Sequence, residues 1–125
     1  MKKVRIYLRS ILVDKKSQLM LFDSNRNGAV NNLVTEVPAG STVIWRRDRC
    51  SGIQKILRVY PKKDKGSIFV TEARKRLFLN VYVLRIPKSA KGEESYNIDY
   101  RLRDKTEVTI DPTLKVPPPP AYGSG

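Results

Sequence analysis

Apolar residues at every second position limit this chain to strands. From Tyr96 to Arg103 the rule runs unbroken: Tyr96, Ile98, Tyr100 and Leu102 are apolar, and Asn97, Asp99, Arg101 and Arg103 are polar. A period of two sends the two sets to opposite faces, so the segment has one face on a core and one in water. Val4, Ile6 and Leu8 against Arg5, Tyr7 and Arg9 repeat the pattern, and Ile11, Leu12 and Val13 prolong it. Leu19-Met20-Leu21-Phe22 and Leu33-Val34-Thr35-Glu36-Val37 are further short runs. Turn material separates them: Lys15-Lys16-Ser17-Gln18, Asp23 to Gly28, and Asn31-Asn32.

The stretch Val37-Pro38-Ala39-Gly40-Ser41-Thr42-Val43-Ile44-Trp45 reads as a tight turn feeding a strand that ends on the only tryptophan. Pro38 fixes its own φ and Gly40 can take a positive one. Alternation then puts Val43 and Trp45 on one face, with Thr42, Ile44 and Arg46 on the other. Ile53 to Tyr60 fits either a helix or a strand by period; its shortness, between Gly52 and Pro61, favours a strand. Ser67 to Thr71 is strand-like, and Glu72 to Lys75 is a turn or one helical turn. Leu77 to Ile86 is the longest β-forming run and is apolar on both faces, which predicts a central strand. Val108, Ile110, Leu114 and Val116 make a final edge strand around Asp111-Pro112. The core is expected to hold Trp45, Phe78, Tyr82, Ile98 and Tyr100.

These elements predict an all-β, antiparallel Greek-key β-sandwich of about eight strands, cupredoxin-like or immunoglobulin-like. Residues 1–116 form one domain, and 117–125 a proline-rich tail for which a left-handed extended helix is expected. At 125 residues, a composition 40% hydrophobic and 30% charged is that of a globular chain with a single core. No apolar run reaches the roughly 18 residues of a membrane span, and Arg5 and Arg9 interrupt any secretory signal. The reading is a cytoplasmic protein with no membrane partner.

Val37-Pro38-Ala39-Gly40-Ser41-Thr42-Val43-Ile44-Trp45 is similar to the "V-x-x-G-D-T-V-x-W" strand of the cupredoxin-like family, and Tyr96-Asn97-Ile98-Asp99-Tyr100 to its penultimate strand. The resemblance implies the sandwich fold and, in copper-binding members, a metal site. Here the sequence departs: Arg47 stands where an Asn is expected, and the chain has no histidine. Arg101-Leu102-Arg103-Asp104 replaces the Cys, His and Met cluster. Copper needs imidazole and thiolate together, so the resemblance implies a metal-free scaffold without electron transfer.

No cofactor is expected. Asp23-Ser24-Asn25-Arg26-Asn27-Gly28 spaces its polar residues like a calcium loop, but position twelve is Val34, so it reads as a turn. Cys50 is the only cysteine and reads as an ordinary loop residue. Pro119-Pro120-Ala121-Tyr122 matches a PPxY motif, which a proline-rich spacer also produces by chance. Without histidine, and with scattered carboxylates, the chain is not expected to be an enzyme.

Charge is the remaining signal. The formal net charge is +13, unevenly spread. Residues 46–76 carry eleven Lys or Arg against three acids, residues 1–22 six against one, and residues 87–125 six against six. The candidate polyanion-binding set is therefore Arg46, Arg47, Arg49, Lys55, Arg58, Lys62, Lys63, Lys65, Arg74, Lys75 and Arg76. Two functions follow as expectations. The first is a non-enzymatic structural or interaction protein, including a subunit of an assembly, bound to a protein partner or to itself. The alternative is a basic module for nucleic acid or another polyanion.

Overall fold

A computed structural model of the chain describes residues 2–13, 16–24, 28–30, 33–48, 52–62 and 66–118. Among them are eleven strands and no helix. One sheet has six strands in the order β3 (Gly28–Val30), β2 (Lys16–Asp23), β1 (Lys3–Val13), β5 (Thr42–Arg47), β8 (Val81–Arg85), β7 (Arg74–Lys75). The other is built on β9 (Gly92–Leu102), which pairs β6 (Ile53–Pro61), β10 (Glu107–Ile110) and β11 (Thr113–Val116), with β4 (Val34–Glu36) beyond β11. Neither sheet closes on itself.

The sheets are mixed rather than antiparallel throughout. β1 pairs β5 in parallel, Val4 with Val43 and Ile6 with Trp45, and β11 pairs β4 in parallel. Parallel neighbours need a long crossover, and β2, β3 and β4 supply it between β1 and β5. β10 and β11 lie against β9 in one continuous register, with Tyr96 N–H donating to the Pro112 carbonyl at 3.0 Å between them. They form the continuous strand expected around Asp111-Pro112, but only its β10 half lies at an edge, because β4 covers β11.

The alternation read from the sequence holds in β1 and β9, and in β5 for Val43 and Trp45, although Ile44 between them is also buried outside the core cluster. Val4, Ile6 and Leu8, Val43 and Trp45, and Tyr96, Ile98 and Tyr100 are all buried in one core cluster. At its centre, Trp45 of one sheet meets Tyr96 of the other edge-on at 5.5 Å between ring centroids. Phe69 lies 5.0 Å from Tyr96 and 6.1 Å from Trp45. Trp45 Nε1–H donates to the Tyr96 hydroxyl at 3.0 Å, so the buried indole keeps its polar atom satisfied. The turn before β5 also forms as read. Gly40 sits at φ 82°, and Ser41 donates from both its N–H and its hydroxyl to the Pro38 carbonyl.

Arg74 and Lys75, read as a turn, form the short strand β7, and Lys16 to Gln18, also read as a turn, belong to β2 and pair with β1. Two apolar segments differ as well. Ser67 to Thr71 is a loop, not a strand. Its apolar residues Ile68 and Phe69 are nevertheless fully buried, because the Glu94 carboxylate accepts both their N–H groups at 3.0 Å. Gly66 lets that carboxylate approach: a Cβ there would overlap it.

The larger correction concerns Leu77 to Ile86. Only Val81–Arg85 is strand, while Leu77 to Asn80 form the tip of the β7–β8 hairpin. Phe78, expected in the core, is 93% exposed at φ 64°. Asn80 ends the strand. Its side-chain amide donates to the Ile56 carbonyl at 2.8 Å and its oxygen accepts the Ile56 N–H at 2.7 Å, which ties the hairpin to β6 across the rim. Tyr82, Ile98, Tyr100 and Trp45 are buried as expected.

Tyr96→Phe should destabilise the protein by about 1–3 kcal/mol in chemical denaturation, because the Trp45 N–H loses its only buried partner. Alkali should act on the same core. Burial pushes the Tyr96 hydroxyl well above its ordinary pKa, and those of Tyr82 and Tyr100 upward too. The native state then holds protons that the unfolded chain releases, so stability is intact below about pH 10 and falls above it. Thermal melts from about pH 8 to about pH 11.5 will show the midpoint constant and then dropping, with tyrosinate absorbance rising only as the protein unfolds.

Candidate basic surface

Because side chains alternate, the inward row Val4, Ile6, Leu8 fixes an outward row Lys3, Arg5, Tyr7, Arg9 on β1. The parallel register of β5 carries that face onward: Arg5 lies beside Ile44, and Tyr7 beside Arg46. β8 continues it with Val81, Val83 and Arg85, and β7 adds Arg74 opposite Val83. On the other side, Phe22 of β2 stands opposite Tyr7, and Met20 opposite Arg9. Lys3, Arg5, Arg9, Arg46, Arg74 and Arg85 thus share one face, with no carboxylate among the positions just named.

Tyr7, Arg9, Phe22, Arg46, Arg47 and Asp48 line a shallow depression of about 570 Å³ on this face. Arg9 approaches Asp48 at 3.8 Å, and Arg47 donates to the Ile53 carbonyl at 3.3 Å. The two half-buried aromatic rings are flanked by guanidinium groups. The arrangement offers flat apolar surface beside fixed positive charge, which suits phosphates attached to planar rings.

The expected set divides. Arg46, Arg47 and Arg74 border this face, and Lys75 and Arg76 are exposed just beyond its edge. Lys55 is exposed on β6, in the other sheet. Arg58 is occupied: its guanidinium donates to both oxygens of Glu72, at 2.8 to 3.3 Å, and lies 4.0 Å over the Tyr60 ring. Hydrogen bonding to Glu72 raises its already high pKa. Lys62 pairs with Asp111 at 2.7 Å and holds that carboxyl below the usual aspartate range. Arg49, Lys63 and Lys65 lie outside the described residues, as do Cys50, Asn25 to Asn27, and the PPxY stretch 119–122.

Lys3, Arg5, Arg9, Arg85, Tyr7 and Phe22 were missing from the candidate set. Clustering along the sequence cannot find them, since only the β1–β5 pairing sets them beside Arg46. The polar half of the β1 alternation was the available signal. No helix is long and apolar enough to cross a membrane among the described residues. No known family model matches this chain, and no curated protein is significantly similar to it.

Glu72→Gln and Asp111→Asn together should raise the salt concentration at which the protein leaves a heparin column, because Arg58 and Lys62 lose their neutralising partners. The thermal midpoint should barely move, since both pairs are solvent-exposed. Unchanged elution would place Arg58 and Lys62 away from the binding surface.

Proposed function

We propose that this is a non-enzymatic interaction protein that works through its outer surface, and that its partner is a polyanion, nucleic acid foremost. One observation carries the reading: six cations from four strands, β1, β5, β7 and β8, share a sheet face around Tyr7 and Phe22. Neutralising backbone phosphates gives affinity without sequence preference, and stacked bases would occupy the aromatic positions. The scaffold is read as a metal-free, cupredoxin-like Greek-key sandwich. In support, the Val37-to-Trp45 phrase forms the tight turn and interior strand that the resemblance implies.

A subunit in an assembly is the second reading. It is favoured by an apolar groove at the opposite end from the hairpin tip, lined by Pro38, Ala39, Ala90, Val116, Pro117 and Pro118 among others. Edge-to-edge strand pairing is the weaker route to such an assembly. β3 and β7, the edges of the six-stranded sheet, are three and two residues long, and short edges resist pairing. The outer edge of the nine-residue β6 is engaged by Asn80 at Ile56 and by the Ala73 N–H at Val59.

Retention on heparin and binding of a labelled oligothymidylate, each measured against salt, test the proposal. Log affinity should fall linearly with log salt, by about 0.7 for each phosphate contacted. Arg5→Glu, Arg9→Glu and Arg46→Glu combined should abolish retention and leave the thermal midpoint within a few degrees, since all three side chains stand outside the core. Retention that survives this variant overturns the assignment. Growth in mass with protein concentration, unaffected by oligonucleotide, favours the assembly instead.

A further inference from the structure

The most exposed large apolar residues among those described are consecutive. Leu77, Phe78 and Leu79 are 80, 93 and 55% exposed at the tip of the β7–β8 hairpin. This is no loose loop. Arg76 N–H donates to the Val81 carbonyl at 2.8 Å, Leu79 N–H to the Arg76 carbonyl at 3.2 Å, and Asn80 clamps the base of the tip onto Ile56. Phe78 is held in the left-handed backbone region, which a bulky residue adopts only when its surroundings impose it. Arg74, Lys75 and Arg76, all exposed, lead directly into the tip. The nearest preceding carboxylate, Glu72, is taken by Arg58.

A braced apolar tip with a basic collar calls for a partner that is apolar inside and anionic at its rim. Three side chains are far from the 20–30 residues a side of a stable protein interface. A second copy of this chain is disfavoured by charge. The apolar groove at the other end of the molecule is bordered by Lys88, Lys91 and Lys115 against Glu93 alone, so the collar would meet like charge. A lipid surface requires no matching shape. Its acyl boundary accepts a few apolar side chains, and its anionic headgroups attract nearby Lys and Arg.

Contrary to the expectation of no membrane partner, we propose that the hairpin tip is a peripheral membrane contact: Leu77, Phe78 and Leu79 enter the interfacial region of an anionic bilayer, and Arg74, Lys75 and Arg76 engage its headgroup phosphates. The contact shares Arg74 with the sheet face of the polyanion reading, but it rests on the apolar tip, which that reading does not use, and the serine variants test it alone.

Co-sedimentation with phosphatidylcholine vesicles, with and without about a third of phosphatidylserine, tests it. The protein should pellet with the anionic vesicles only. Leu77→Ser, Phe78→Ser and Leu79→Ser combined should weaken pelleting at least tenfold while heparin retention and the thermal midpoint stay unchanged. In a Phe78→Trp variant the introduced indole should shift to the blue on anionic vesicles and be quenched by brominated acyl chains. Trp45, fully buried, gives a wild-type control that is not quenched. The proposal is overturned if the wild type does not pellet, if the triple serine variant pellets as well, or if the introduced indole is not quenched on vesicles that bind. It is equally overturned if sedimentation velocity reveals self-association that Phe78→Ser removes, which would give the tip to a second copy.

Discussion

The hydrogen bond from Trp45 to Tyr96 joins the two sheets at the point where both are most deeply buried. An indole N–H in an apolar core loses water and must be given another acceptor. Here that acceptor comes from the facing sheet, which fixes how β5 and β9 lie against each other. Phe69 completes the ring cluster although it belongs to no strand, and Glu94 of β9 holds its backbone in place. One long strand therefore supplies both the partner of the tryptophan and the tether for the third ring.

Once that interior is set, the exterior follows from the pleat. Each residue directed inward on β1, β5 and β8 forces its neighbour outward, and the parallel β1–β5 register decides which outward residues become neighbours. Arg46 is far in sequence from Arg5 and Arg9 yet shares their face because Ile6 and Trp45 share the core. The charges that look most clustered in the sequence fare differently. Arg58 and Lys62 face carboxylates contributed by distant loops, so part of that cluster is neutralised within the fold.

The hairpin near Phe78 shows how two local rules can compete. Leu77 to Ile86 has the composition of a buried strand, and hydrophobicity alone favours extending β8 through all of it. Asn80 instead satisfies the Ile56 backbone groups on β6, and Arg76 closes the turn with Val81. Those backbone bonds hold the tip outside the core at the expense of exposing three apolar side chains. Nothing in residue type alone distinguishes Phe78 from Phe69. One is in water and the other fully buried, because Glu94 anchors one loop inward and Asn80 directs the other outward.

The amino-acid sequence by itself determined the strand character of the chain, the turn at Gly40, the continuous strand around Pro112, and the inward-facing residues of β1, β5 and β9. Each is a local matter of side-chain period or backbone geometry. Tertiary structure alone decided the mixed strand directions, the loop that buries Phe69, the exposed hairpin tip, and which cations share a face. These depend on partners far away in sequence: a register between β1 and β5, a carboxylate on β9, an amide on Asn80. Periodicity says which way a side chain points, but only the packed chain says what it meets.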